Sequence, residues 1–252
     1  MGIFDFHVHP GYDFGREALP SEQFVQMLQE QGVTRCAGSV IHEKYYKKDT
    51  AAYEEILPVL NEEAYAFYEQ YPAFYVPGIH VHPFFPELSC REIEKYAAKG
   101  VKLVGELTPY LMGWRSYADE RLYEILELAR YYDMVVSVHP DGAPEMKKLL
   151  DNVPHLKVVI AHIDAYGLYE DEIAMMKAHE EVCCDLSAHG ADREGMLRQT
   201  IDSVGAHRVL FGSDFPGCQP ETFLAPVRCA DITDAERQAI LWDNAVRLLQ
   251  TD

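Results

Sequence analysis

The chain has 252 residues, close to the ~250 of a (β/α)₈ barrel, and is long enough to bury a full core without disulfide staples. Its 22 basic against 41 acidic side chains give a formal charge of −19, which repels phosphate backbones and anionic lipid and argues against nucleic-acid or membrane partners. The densest basic group, Lys44, Lys47 and Lys48, sits beside Glu43 and Asp49, so no basic patch offsets that charge.

Short apolar runs rich in β-branched residues alternate with longer amphipathic stretches. Strands are predicted near 3–9, 35–41, 75–82, 102–107, 135–139, 157–162, 182–187 and 209–214. Helices are predicted near 21–31, 52–71, 89–99, 118–132, 143–152, 168–180, 192–204 and 234–250. Thr233 with Glu236 forms a capping-box pattern that opens the last helix. Eight strands at a mean spacing of roughly 31 residues favour a barrel over a doubly wound sheet, and no G-x-G-x-x-G follows the first strand. The expected fold is therefore an α/β (β/α)₈ TIM barrel forming a single domain over residues 1–252.

The cysteines at 36, 90, 183, 184, 218 and 229 show no C-x-x-C spacing, which fits free thiols in a reduced, cytoplasmic setting. The opening MGIFDFHVHP lacks a basic region and an apolar core of the secretory kind, and no apolar run reaches ~18 residues.

Catalytic groups in such barrels sit at the carboxyl ends of the strands. Eight of the 11 histidines fall there: His7, His9, His42, His80, His82, His139, His162 and His189. His7 and His9 stand two apart on strand 1 and so point to one side of the pleat, where both imidazoles can reach one ion. Asp5 shares that parity and is expected to orient a ligating ring from one layer deeper. His139, His162 and Asp214 end strands 5, 6 and 8, each after an apolar run. Imidazole nitrogen with carboxylate oxygen suits Zn²⁺ and related transition ions.

The segments DFHVHP (5–10), GEL (105–107), VHP (138–140), IAH (160–162), GSDFP (212–216) and ILWDNAVRLL (240–249) together resemble the amidohydrolase superfamily, specifically its amidohydrolase-related (family 2) branch. The resemblance spans nearly the whole chain in the family's order, and implies a distorted barrel of the metallo-dependent hydrolase type. It also implies His7, His9, His139 and Asp214 as metal ligands, with His162 as a second-metal ligand or a catalytic histidine. Asp214 would in addition act as a general base toward water. Glu106 departs from the carboxylated lysine of many relatives and resembles instead a deoxyribonuclease-like branch in which a strand-4 Glu touches the metals. It is thus a further candidate ligand, implying two ions.

His80 and His82 repeat H-x-H-P on strand 3, and His82 is a candidate pocket contact. Tyr110, Trp114 and Arg115 follow strand 4 on a candidate lid, and His189 follows strand 7 as a candidate substrate contact. Tyr45, Tyr46 and Tyr53 are further candidates for an entrance.

The primary expectation is a metal-dependent hydrolase acting through activated water on an amide, ester, lactone or related bond of a small molecule. The alternative is non-oxidative decarboxylation of a small, aromatic carboxylic acid, with Arg115 or Arg193 receiving the carboxylate. A third reading, a structural metal in a binding protein, fits poorly with ligands lining an open mouth. The cofactor is expected to be one or two divalent ions, zinc first, with manganese, iron or cobalt as alternatives. The partner is a small-molecule substrate, and the aromatic-rich surface helices fit a homodimer.

Overall fold

The computed structural model describes residues 2–13, 17–46, 48–140 and 142–251; Lys47 of the basic trio lies outside them. Eight strands follow in chain order: β1 (Phe4–Asp5), β2 (Arg35–Ser39), β3 (Tyr75–Ile79), β4 (Leu103–Leu107), β5 (Val135–Val138), β6 (Lys157–Ile160), β7 (Val182–Asp185) and β8 (Val209–Leu210). They form one sheet in the order β1 to β8, each parallel to the next. Hydrogen bonds from Phe6 N–H to Phe211 O (2.9 Å), Asp214 N–H to His7 O (2.8 Å) and His9 N–H to Phe215 O (2.8 Å) join the last strand to the first. The sheet thereby curls into the expected TIM barrel.

One helix packs outside between successive strands: α1 (Ser21–Glu30), α2 (Tyr53–Gln70), α3 (Pro86–Ala97), α4 (Glu120–Tyr131), α5 (Ala143–Asn152), α6 (Tyr169–Ala178) and α7 (Met196–Val204). An eighth, α8 (Pro220–Cys229), was not expected, because Pro220 and Pro226 mask its periodicity. Pro220 sits in the first turn, where its missing N–H is no loss. The predicted final helix is interrupted: α9 (Asp234–Gln238), opened by the Thr233–Glu236 capping box, passes through a π-turn at Ala239–Asp243 into α10 (Asn244–Leu249). The Ile240 carbonyl accepts from Phe211 N–H at 3.0 Å, so the helix lends an acceptor to the last strand and widens its own turn there.

The lower bore is filled by one side chain from every strand: Phe4, Ala37, Val76, Leu103, Val135, Val159, Cys183 and Leu210. Ala245, Leu248 and Leu249 of α10 pack against this set and close that end. Phe6 belongs to the same cluster, whereas His7 and His9 point into the opposite mouth, so the pleat slips between Phe6 and His7. Asp5 accounts for the slip. Its carboxylate accepts the backbone N–H of His7 (3.2 Å) and of Ser213 (2.9 Å), replacing strand-ladder bonds. The ring-orienting role expected of Asp5 is therefore corrected: it holds backbone, and no imidazole. All six cysteines are free. Among the described residues no helix is long and apolar enough to cross a membrane.

Candidate metal centre

The end of β1 delivers His7 and His9, whose Nε2 atoms lie 3.0 Å apart. Each ring has already committed its other nitrogen. His7 Nδ1 is 2.9 Å from Asp185 Oδ2, and His9 Nδ1 is 3.0 Å from the Ser39 carbonyl. Neither acceptor carries a hydrogen, so both Nδ1 atoms are protonated, and each Nε2 presents a lone pair whenever its ring holds no second proton. Two lone pairs at that separation repel unless a positive charge lies between them.

Carboxylates supply the rest of the donor set. Glu106 Oε2 is 3.5 Å from each of the two Nε2 atoms, and Asp214 Oδ1 is 3.8 Å from His7 Nε2 and 3.4 Å from His9 Nε2. On its other side Glu106 Oε1 meets His139 Nδ1 at 2.9 Å and His162 Nε2 at 3.3 Å. Two triads, His7–Glu106–His162 and His7–His9–Asp214, each bring three ligand atoms within 4.8 Å of one another. Nitrogen and carboxylate oxygen in this number fit a divalent transition ion.

Local backbone explains the convergence. Asp214 and His162 both adopt left-handed φ, at 65° and 54°, which turns their side chains off the strand ends into the mouth. Gly105 has φ +95°, and a Cβ there would meet Ser137 O at 2.3 Å, so only glycine lets the chain pass and aim Glu106 inward. Gly105→Ala is expected to cost about 1–3 kcal/mol of stability and to lower metal content, read by denaturant midpoint and elemental analysis; an equally stable, metal-replete variant would refute this.

The electrostatics favour positive charge at the centre. Burial opposes protonation of His7, but Asp185 and then Glu106 pull its pKa well above the ordinary histidine value. Burial likewise opposes ionisation of Glu106, yet His7 and His139 hold its pKa well below the usual carboxylate range. Burial works against charge on His162, and its bond to Glu106 raises it. A proton answers this demand with one bond, a divalent ion with several.

Sequence reasoning missed the two groups that brace these rings. Asp185 ends β7 and holds His7; Ser187 Oγ is 2.7 Å from His162 Nδ1 and donates to Asp185 Oδ1. The available signal was the one that found Asp214, an acid closing an apolar run. Such partners fix tautomer and orientation. Asp185→Asn is expected to weaken metal affinity about 10–100-fold, measured by competition with a chelator. Unchanged affinity would mean that the Asp185 contact does not set the ligand.

Of the six residues expected as ligands, His7, His9, Glu106, His162 and Asp214 fall in the two triads, whereas His139 falls in neither and meets them through Glu106 and the His162 ring. The expected substrate contacts divide. Tyr110 stands at the mouth, 49% exposed, with its ring 5.1 Å from His139. His82 is not brought to the cluster: it is buried, its Nε2 bonds the Met112 carbonyl (2.8 Å) and its Nδ1 accepts from Phe84 N–H (3.2 Å). Trp114 is buried too, against Tyr117 and His82. Tyr53 is likewise buried, its hydroxyl 2.6 Å from the Leu111 carbonyl. Arg115 and His189 are exposed, His189 lying 3.7 Å from Asp192. Arg193 pairs with Asp164.

The mouth instead carries tyrosines. Tyr12 lies 6.5 Å from the His9 ring and 6.0 Å from Tyr46, and Tyr166 Oη is 3.3 Å from His139 Nε2. Burial first, then the negative charge of Asp214 for Tyr12 and of Glu106 for Tyr110, raises their pKa values, so both hydroxyls stay protonated as donors. The ion-pair partners of Glu106 and Asp214 among the described residues are all histidines.

The chain belongs to the amidohydrolase family, whose profile matches residues 4–251. No curated protein is similar to it in sequence. Among solved structures it is similar to 2,6-dihydroxybenzoate decarboxylase from Rhizobium, at 15% identity and a TM-score of 0.78 over 99% of both chains. Dihydroxybenzoic acid decarboxylase from a Polaromonas species, with bound manganese and 2-nitroresorcinol, is 16% identical with a TM-score of 0.76, covering 99% of this chain and 97% of that one. The 5-carboxyvanillate decarboxylase of Sphingomonas paucimobilis is 16% identical with a TM-score of 0.73, covering 94% and 85% respectively. At such identities the likeness shows the fold.

Proposed function

We propose that this chain is a divalent-metal-dependent lyase that removes the carboxyl group of a small aromatic acid without oxidation. The observation that carries the metal is the pair of Nε2 atoms of His7 and His9, 3.0 Å apart with both Nδ1 atoms spent elsewhere and the Glu106 and Asp214 carboxylates within 3.8 Å. His7, His9, His139 and Asp214 would hold the ion, with Glu106 balancing its charge. When bound, the ion supplies the positive charge that anchors and polarises the substrate.

The aromatic substrate class is supported by the tyrosine-lined mouth and by the substrates that the similar folds are named for. Among the described residues no arginine pairs with the cluster and Arg193 is held by Asp164, so in this reading the metal and protonated tyrosine hydroxyls take the role expected of Arg115 or Arg193. Asp214, 24% exposed, has access to both solvent and site. It delivers a proton to the ring carbon that bears the carboxyl group; the pair of the breaking carbon–carbon bond returns to the ring, carbon dioxide leaves, and Asp214 is reprotonated from water. His162, pinned by Ser187, and Glu106 keep the substrate face of the site oriented.

Glu106 favours one competing reading. It touches the His7–His9 pair on one side and the His139–His162 pair on the other, as a carboxylate bridging two ions would, and two ions suit hydrolysis. The test is to load the protein with Mn²⁺ or Zn²⁺, count ions per chain, and measure carbon dioxide release from 2,6-dihydroxybenzoate and 5-carboxyvanillate. Release that a chelator abolishes and added metal restores is expected, with one ion per chain. Two ions, no carbon dioxide, and cleavage of an ester or lactone panel would transfer the site to hydrolysis.

A further inference from the structure

The H-x-H-P of strand 3 places two histidines in contrasting states. His82 spends both ring nitrogens within the protein. His80 does not. Its Nε2 lies 2.8 Å from the Val40 carbonyl, which cannot donate, so Nε2 carries the hydrogen. Its Nδ1 is then a bare acceptor, and it is buried without a partner in a residue only 3% exposed. The Asn61 side chain pins the His80 backbone, His80 N–H donating to Asn61 Oδ1 (2.7 Å) and Asn61 Nδ2 donating to the His80 carbonyl (3.1 Å), while the Nε2 bond to the Val40 carbonyl holds the ring. Burial pushes the His80 pKa down to about 4, so at neutral pH no proton covers Nδ1.

His80 lines a small cavity of about 20 Å³ with Val40, Ile41, Tyr46, Thr108 and Met112. That is room for one water-sized group, at least ~10–15 Å³ being needed, and for no ring. The cavity adjoins the metal centre. His80 interacts electrostatically with His9 and Glu106, Tyr46 with Glu106 and Asp214, and Thr108 stands two residues beyond Glu106, just past the end of β4.

We propose that this cavity is a specificity pocket in which His80 Nδ1 accepts a hydrogen bond from a hydroxyl carried on the substrate ring, while the ring itself stays among Tyr12, Tyr46 and Tyr110. This rests on the aromatic-substrate reading and adds to it which substituent is selected and by which atom. A substituent of hydroxyl size that cannot donate leaves the buried acceptor unpaired, and buried polar sites reject such analogues strongly.

Phenol and fluorobenzene test this, because they match in size, differ in the donor, and need neither a carboxylate nor turnover. Calorimetric titration of the metal-loaded protein is expected to give about tenfold tighter binding for phenol. The His80→Phe variant, which keeps the bulk and removes the acceptor, is expected to bind both equally. Equal affinities in the unaltered protein, no phenol binding up to its solubility limit, or a preference that survives in His80→Phe would each overturn the proposal. The comparison of the two ligands on the unaltered protein stands even where the variant fails to fold. A phenol preference in a protein that decarboxylates nothing upholds the pocket and removes the proposed reaction; decarboxylation without the preference does the reverse.

Discussion

Asp214→Asn is expected to lower kcat by about 10²–10⁴-fold while leaving most of the bound metal in place, measured at saturating substrate alongside elemental analysis. The reasoning starts from the backbone. Asp214 sits at φ 65° just beyond β8, held by its N–H to the His7 carbonyl at 2.8 Å, which fixes the direction in which its side chain leaves the backbone. Asparagine tolerates left-handed backbone and retains a side-chain oxygen near His9 Nε2, so the geometry and part of the ligation persist. What disappears is the capacity to carry a proton. A variant within tenfold of the parent would show that another group moves the proton, His162 being next in line.

His9→Ala is expected to reduce metal affinity by more than the ~100-fold upper range for an outer-sphere partner, with activity falling in step and partly returning at high metal concentration. His9 contributes one of the two facing lone pairs and lies within 3.5 Å of both cluster carboxylates. Truncation leaves the Ser39 carbonyl without its donor and removes the nitrogen that faces Glu106 and Asp214. Chelator competition and metal counting decide the matter. An alanine variant that keeps one tightly held ion would move the centre away from β1 and undo the ligand assignment.

The chemistry-bearing end of the barrel was legible because residue type and strand position coincide there. His139, His162 and Asp214 each follow an apolar run, and His7 and His9 stand two apart at the end of the first. Glu106 was readable from Gly105 beside it, for which the structure supplies the steric reason. Asp5 was misplaced because strict alternation was extended through a point where a carboxylate displaces the ladder. Helix α8 escaped because proline is read as a breaker although it opens helices well. The loop candidates fared worst. Trp114 turned inward and Arg115 outward, and nothing periodic distinguishes those outcomes in a segment without secondary structure. Tyr166 reaches His139 through a left-handed φ of 59°, a conformation that its residue type does not announce.

The C-terminal helix α10 stoppers the bore at the end away from the histidines. Whatever enters the chamber must therefore depart by the same doorway, past the phenol rings that greet it. Arrival and departure exclude one another, so a spent molecule that lingers at the threshold delays the next cycle however fast the bond-breaking step. Substitutions that loosen this threshold should quicken release and blunt selection together, whereas changes beneath the stopper should alter durability alone.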